Sequence, residues 1–156
     1  MERFFNTEGP VNPKDHYAIP IADRFNLEEI LDLIHRKKYF ILHAPRQTGK
    51  TSAMLALMDI LNKSGKYKAL YVNVESAQAA RENVPAAIQA ILSSFAAAAR
   101  NRLQDSFPGD TFPEILQKNG PYHALNILLG SWASRNNLPL VVFIDEIDSL
   151  VGDTLI

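Results

Sequence analysis

The stretch on which the interpretation of this chain depends is Ala44-Pro45-Arg46-Gln47-Thr48-Gly49-Lys50-Thr51. It follows an apolar run at residues 39–43 and precedes a helix-like pattern at residues 52–61. A strand, a short loop ending in Gly-Lys-Thr and a helix form the context in which such a loop binds phosphate. Because loops and first helical turns of this kind direct backbone N–H groups at a ligand, we predict a phosphate-binding nest at residues 44–51.

Three residues of this stretch contribute different properties. Gly49 has no Cβ, so the backbone can approach a phosphate closely. Lys50 supplies a mobile positive charge at the β- and γ-phosphates, and the Thr51 hydroxyl can ligate Mg²⁺. The full pattern Gly-x-x-x-x-Gly-Lys-Ser/Thr has glycine where this chain has Ala44, and alanine fits that position when its φ is negative.

The composition bounds the class of protein. The chain has 156 residues, of which 47% are hydrophobic and 21% charged, as is typical of one globular domain. Its net charge of −1 gives no indication of a nucleic acid or an anionic membrane as partner, and the absence of cysteine excludes disulfides and thiolate metal sites. Residues 1–10 lack the apolar core of a secretory signal, and no apolar run approaches the ~20 residues of a membrane helix. We therefore expect a cytoplasmic protein without a membrane partner.

The spacing of apolar residues and turn residues predicts the other elements. Asn26 and Glu29 have the spacing of a capping box at the start of the first helix. We predict helices at residues 27–38, 52–61, 84–100, 111–118 and 121–135, strands at residues 39–43, 68–74 and 140–145, and a loop at residues 104–110. Residues 1–25 are predicted to be an irregular arm, which either packs on the domain or borders an adenine pocket with Tyr17 or His16 against the base.

A second motif lies at residues 140–146, where the unbroken run Leu-Val-Val-Phe-Ile ends in Asp145 and Glu146. A run without alternation predicts a strand covered on both faces, as in a parallel sheet flanked by helices. Acids at the carboxyl end of such a strand lie where open α/β sheets bind ligands. Asp145 can hold Mg²⁺ directly or through water, and Glu146 can orient and polarise the water that attacks the γ-phosphate.

Together the two motifs resemble those of P-loop nucleoside triphosphatases. Residues 44–51 resemble the Walker A motif, and residues 140–146 resemble the Walker B motif. The string Phe-Ile-Asp-Glu-Ile-Asp-Ser-Leu at residues 143–150 is similar to the Walker B region of AAA-type ATPases. The loop resembles that of prokaryotic AAA-like ATPases near the STAND and origin-recognition groups. The resemblance covers residues 15–156 in the order of elements, but only the two motifs are specific.

The resemblance implies an α/β fold, a three-layer P-loop NTPase with a mostly parallel sheet flanked by helices. Residues 1–25 are then an N-terminal arm, and residues 26–156 are the N-terminal portion of an AAA-like ATPase domain. The implied cofactors are ATP and Mg²⁺, with Glu146 and Lys50 as catalytic residues and Thr51 and Asp145 as metal ligands. The implied nucleotide-binding residues are Tyr17, Ala44, Pro45, Arg46, Gln47, Thr48, Gly49, Lys50, Thr51 and Ser52.

Members of this family also use a sensor residue on a later strand, an arginine finger and a helical lid. The resemblance places that strand between the Walker A and Walker B strands. None of these parts can be located before residue 156, so we expect the C-terminal strands and lid to be missing here and hydrolysis by this chain alone to be negligible. Edges and apolar faces left open in this way predict self-association or a protein partner. DNA binding is possible only by analogy with other members of the family.

Three functions are consistent with the motifs. The leading hypothesis is ATP binding and, in a complete protein, Mg²⁺-dependent hydrolysis coupled to a conformational change or to partner binding. The alternative, in which the chain is not an enzyme, is a nucleotide-dependent switch or scaffold that binds ATP without turnover. A small-molecule kinase also uses Gly-Lys-Thr, but Glu146 argues against it. Whether the chain is an enzyme stays open at this point.

Overall fold

The computed structural model describes residues 26–43, 48–80 and 82–150, so the predicted arm at residues 1–25 lies outside the described residues. The chain divides into two compact units, Met1–Ile60 and Leu61–Ile156. The helices are α1 (Leu27–His35), α2 (Lys50–Lys63), α3 (Val84–Leu103), α4 (Phe107–Asn119) and α5 (Pro121–Arg135). The strands are β1 (Lys68–Asn73) and β2 (Leu140–Asp145), each followed by a short 3₁₀ segment, Glu75–Ala80 and Ile147–Leu150 respectively. In the part of the chain described here, no helix combines the length and apolar character needed to cross a membrane.

In the first unit, α1 begins at the predicted cap. The Asn26 Oδ1 accepts a hydrogen bond from the Glu29 backbone N–H at 3.3 Å, and the Asn26 Nδ2 donates to the Glu29 carboxylate at 3.3 Å. Ile30 and Ile34 are buried on one face of the helix. The helix ends at His35, before the predicted residue 38, because Lys37 has a left-handed backbone with φ of 55°. The predicted helix is therefore confirmed, with an earlier end.

The predicted strand at residues 39–43 is wrong, because the structure has no regular element there. Tyr39 and Ile41 are 105% and 90% exposed relative to an open reference chain. A strand is stable only when a neighbouring strand takes its backbone hydrogen bonds, and a short apolar run does not specify such a neighbour. Among the described residues, no strand pairs with this apolar run. Its composition alone was therefore not enough to predict its structure.

In the second unit, β1 and β2 form a parallel pair with Lys68 opposite Leu140 and Asn73 opposite Asp145. The three helices between the strands, α3, α4 and α5, pack on one another, and α3 also packs on β1. The core of this unit consists of Leu70, Val72, Val74, Ala77, Ala87, Ile88, Ile91, Leu92, Phe95, Ala99, Ile115, Ala124, Leu128 and Trp132. The apolar faces predicted for residues 84–100 and 121–135 thus meet in one helical core.

The expected three-layer α/β fold, a mostly parallel sheet flanked by helices, is wrong. Of the described residues, 68% are helical, and the described sheet has only the two strands β1 and β2. The physical reason is that α3, α4 and α5 bury much of their apolar surface against each other, which needs no broad sheet between two helical layers. The two sequence motifs are short, so they could not predict how the long helical segment between them packs.

The predicted loop at residues 104–110 is also wrong beyond Ser106, since α4 begins at Phe107. Pro108 and Gly109 suggested a turn, but proline is well tolerated in the first helical turn, where its missing N–H is not needed. Gly109 lies close to α3, so that an added Cβ would lie 3.5 Å from the Ala96 Cβ. The Ser106 hydroxyl donates to the Asp110 carboxylate at 2.6 Å and supports the first turn.

A polar network centred on Asp105 joins three parts of the second unit. Its carboxylate accepts hydrogen bonds from the Lys68 ammonium on β1 and, at 2.9 Å, from the Trp132 indole N–H on α5. It also accepts the Phe107 backbone N–H at 3.0 Å, and Lys68 donates to the Asn136 side chain at 2.8 Å. Burial acts to raise the pKa of the Asp105 carboxyl, but these hydrogen bonds and the charge of Lys68 hold that pKa below its ordinary value.

Candidate functional site

Of the predicted phosphate-binding segment at residues 44–51, the structure describes residues 48–51, where Gly49 directly precedes α2. Gly49 has a φ of +82°, a left-handed conformation that glycine adopts without the steric penalty of a Cβ. Its carbonyl accepts the Ala53 N–H at 2.9 Å, which is the first hydrogen bond of the helix. The helix begins at Lys50 rather than at the predicted residue 52. Lys50, Thr51 and Ser52 therefore form the first turn, and all three are half-buried.

The N-terminal turn of α2 carries positive charge. Acidic side chains are normally favoured in a first turn, because the helix dipole is positive there. The first turn of α2 contains no acid, and its first residue is the cation Lys50. A bound anion would interact favourably with both the helix end and the lysine. The electrostatics of this turn are thus suited to a phosphate group.

Several predicted site residues lie outside the described residues. They are Tyr17, Ala44, Pro45, Arg46 and Gln47. Their assigned contacts with the nucleotide stay predictions. Thr48, which the structure does describe, is exposed immediately before Gly49.

The second predicted motif lies at the end of β2, where Asp145 is 2% exposed. The Tyr71 hydroxyl on β1 donates a hydrogen bond to the Asp145 Oδ2 at 3.0 Å. The Glu146 backbone N–H donates to the Oδ1 at 3.0 Å. Both carboxylate oxygens therefore accept hydrogen bonds, and the orientation of this buried acid is defined by neighbours on two segments.

Glu146 directly follows β2 in a conformation that is rare for a residue with a Cβ. Its φ is +60°, and its side chain is half-buried. The Ser149 backbone N–H and hydroxyl both donate to its carbonyl, at 3.0 and 2.6 Å. A left-handed backbone costs a non-glycine residue about 1–2 kcal/mol. Strain of this kind is concentrated at functional sites, where surrounding contacts maintain it.

The strain at Glu146 leads to a testable prediction. Glu146→Gly should raise the free energy of unfolding by about 0.5–1 kcal/mol, because relief of the left-handed strain exceeds the extra chain entropy of glycine. Chemical denaturation of both proteins measures this difference. Glu114→Gly, within α4, is the matched control and should lower stability by about 1 kcal/mol. A loss of stability in both variants would show that the backbone at Glu146 is not strained.

The arrangement of the described acids bears on metal binding. Within the described ranges, no group of three or more His, Asp or Glu side chains could hold a metal ion by itself. Mg²⁺ at nucleotide sites is usually bound by one or two carboxylates together with phosphate oxygens and water. A single buried carboxylate such as Asp145 is consistent with a site in which phosphate oxygens and water supply the other ligands of Mg²⁺.

Tyr71 is the site residue that the sequence did not reveal. Residues 68–74 were predicted to be a strand, without a role for any side chain. Alternate residues of a strand lie on one face, so Tyr71 shares a face with Asn73, which pairs with Asp145. The strand register would have identified the contact, but neither strand pattern specifies a register.

Comparison of the chain with protein-family models, with curated proteins and with solved structures gave no match.

Proposed function

We propose that this chain binds Mg-ATP, chiefly through the phosphate groups of the nucleotide. Where a protein also supplies the sensor residue, the arginine finger and the lid, we further propose Mg²⁺-dependent hydrolysis that is coupled to a conformational change or to partner binding. The observation that supports the proposal most is the left-handed Gly49 followed at once by a helix that Lys50 and Thr51 open. A Gly-Lys-Thr sequence in that backbone context suits phosphate recognition.

Phosphate binding uses two properties of the first turn of α2. Backbone N–H groups at a helix start are oriented along the helix axis and carry partial positive charge. Lys50 adds a full positive charge, which would contact the β- and γ-phosphates. The Thr51 hydroxyl supplies an oxygen ligand of the kind that Mg²⁺ prefers.

The hydrolytic part of the proposal depends on Asp145 and Glu146. Bound Mg²⁺ would neutralise charge that develops on the phosphate oxygens. Asp145 would accept a hydrogen bond from a metal-bound water or contact the ion. The Glu146 carboxylate would orient the attacking water and take its proton.

Calorimetric titration with four ligands tests the binding proposal. We expect Mg-ATP and Mg-tripolyphosphate to bind and Mg-ADP to bind more weakly, because the γ-phosphate contact is lost. Adenosine, which has no phosphate, should give no measurable binding. Adenosine binding as tight as that of ATP, or no binding of any phosphate ligand, would contradict the proposal.

A switch without turnover is the second candidate, and the burial of Asp145 favours it. At 2% exposure, with hydrogen bonds to both oxygens, this carboxylate is suited to a structural role as well. Comparing wild type with Glu146→Gln, in a protein that also supplies the sensor residue, the arginine finger and the lid, separates the candidates. If wild type hydrolyses ATP and Glu146→Gln binds ATP without hydrolysing it, the hydrolytic function is supported. Binding without turnover in either protein supports the switch. A protein partner, self-association and DNA binding stay predictions.

A further inference from the structure

We infer that residues 39–43 pair with the same residues of a second copy of this chain, as two antiparallel strands with Ile41 opposite Ile41 of the second copy. The inference does not depend on the proposed function, because it concerns a surface of the first unit alone. It gives the self-association expected from the sequence a defined surface and geometry.

The side chains of residues 39–43 alternate in exposure. Tyr39, Ile41 and His43 are exposed, whereas Phe40 and Leu42 are half-buried. Among the described residues, Tyr39 and Ile41 are the most exposed large apolar side chains, at 105% and 90%. A period of two is the pattern of a strand, in which alternate side chains lie on one face. The segment therefore has the side-chain pattern of a strand with one face open to solvent.

The backbone of this segment also lacks partners in the part of the chain that the structure describes. None of residues 39–43 makes a hydrogen bond there, whereas Lys38, just before them, donates its N–H to the Leu33 carbonyl at 2.9 Å. Unpaired backbone groups beside apolar side chains form a template for another strand. Tyrosine, phenylalanine and isoleucine also have high β propensity. A strand partner would satisfy both the backbone and the apolar side chains.

The segment is complementary to a second copy of itself. In an antiparallel pair centred on Ile41, Tyr39 lies opposite His43 of the second copy, and Phe40 lies opposite Leu42. The exposed side chains of one copy then meet the exposed side chains of the other. Cross-strand pairs between aromatic and β-branched residues of this kind stabilise a sheet. Because both copies use the same patch, the pairing closes after two chains.

The neighbouring cations select the antiparallel orientation. His35, Arg36, Lys37 and Lys38 are all exposed directly before the segment. In a parallel pair in register, each lysine would lie about 5 Å from the same lysine of the second copy, where like charges are destabilising. In the antiparallel pair, Lys38 and Lys38 of the second copy lie at opposite ends, roughly 20 Å apart along the strands. That separation exceeds the Debye length of about 10 Å at 0.1 M salt, so their repulsion is screened.

The size of the surface predicts the strength of the dimer. A buried aromatic side chain contributes about 150–250 Å². Five residues from each copy therefore bury less than the roughly 1,200 Å² of a stable interface. We expect a weak dimer, with a dissociation constant of about 10–1,000 μM.

Sedimentation equilibrium of the chain without nucleotide, from micromolar to millimolar protein, tests the inference. We expect monomer and dimer without larger species. Ile41→Asp should weaken dimerisation about a hundredfold, because two isoleucines leave the interface and two carboxylates face each other. Tyr122→Asp, at a tyrosine of α5 that is 75% exposed, is the matched control and should leave dimerisation unchanged.

Three results of this experiment would overturn the inference. They are a monomer at every concentration, assemblies that grow beyond the dimer, and a dimer that Ile41→Asp weakens no more than Tyr122→Asp does. Since no nucleotide is present, each of these results leaves the proposed binding of Mg-ATP as it stands.

A mixture of two variants tests the register. Ile41→Asp and Ile41→Lys should each be largely monomeric alone, since like charges face each other at position 41. An equal mixture should dimerise about tenfold more tightly than either variant alone, because opposite charges then meet. No gain on mixing would contradict the pairing of residue 41 with itself.

Amide hydrogen exchange uses the wild-type protein and does not depend on the folding of a variant. In an antiparallel pair alternate residues donate across the strands. Alternate amides of residues 39–43 should therefore exchange more slowly as the protein concentration rises. Protection that appears only after a single-stranded oligonucleotide is added would mean that this surface binds a polyanion, and the inference would be wrong.

Discussion

Replacing Lys50 with alanine is expected to lower the affinity for Mg-ATP about ten- to hundredfold. The lysine is the first residue of α2, directly after the left-handed Gly49, where its charge would meet the β- and γ-phosphates. Loss of a hydrogen bond to a charged group costs about 1.5–3 kcal/mol. Calorimetric titration of both proteins measures the change.

The control for this prediction lies at the other end of the same helix. Lys63→Ala removes an exposed lysine from the last turn of α2 and should leave Mg-ATP affinity unchanged. Circular dichroism of each variant checks that the helices are retained. Unchanged affinity in Lys50→Ala, with the fold intact, would refute the assigned role of the lysine.

The largest effect on stability is expected at Asp105. Asp105→Ala removes the acceptor for the Lys68 ammonium and the buried Trp132 indole N–H. Loss of one partner of a fully buried ion pair costs about 3–5 kcal/mol, and we expect about 2–3 kcal/mol here because Lys68 and Asp105 are partly exposed. Chemical denaturation measures the change. Glu114→Ala, which breaks an exposed pair with Lys118, should cost about 0.3–0.5 kcal/mol and is the matched control.

The pKa of Asp105 gives this prediction a pH dependence. Because the folded-state pKa is lowered, the carboxylate contributes its stabilisation above the pKa of an unfolded aspartate, about 3.9. That contribution is lost as the pH falls through the folded-state pKa. The stability difference between wild type and Asp105→Asn should therefore be constant near neutral pH and shrink below about pH 4. A difference that persists undiminished in strong acid would contradict the network.

Local signals in the sequence predicted local structure well. Asn26 caps α1 as expected, Pro121 begins α5, and β2 ends at Asp145 before Glu146. Each of these signals depends on contacts within a few residues, which the sequence specifies directly. The start of α4 was missed because a proline and a glycine are as compatible with a first helical turn as with a loop.

Long-range arrangement could not be predicted in the same way. The run at residues 39–43 has the composition of a strand, but pairing depends on partners elsewhere in the chain. The extent of the sheet depends on how α3, α4 and α5 pack, and their apolar faces fit either a sheet or a helical core. For the same reason the contact from Tyr71 to Asp145 was missed, since it depends on the register of two strands far apart in sequence. The left-handed backbone of Glu146 carries no signal in its residue type.

The most direct test of the central claim is a titration of the ¹⁵N-labelled chain with Mg-ATP, followed through the backbone amide resonances. The account predicts saturable shifts at Gly49, Lys50 and Thr51, which Mg-tripolyphosphate reproduces and adenosine does not. If those three amides do not move at ATP concentrations of several millimolar, or move equally with adenosine, this segment does not bind phosphate and the proposed function is wrong.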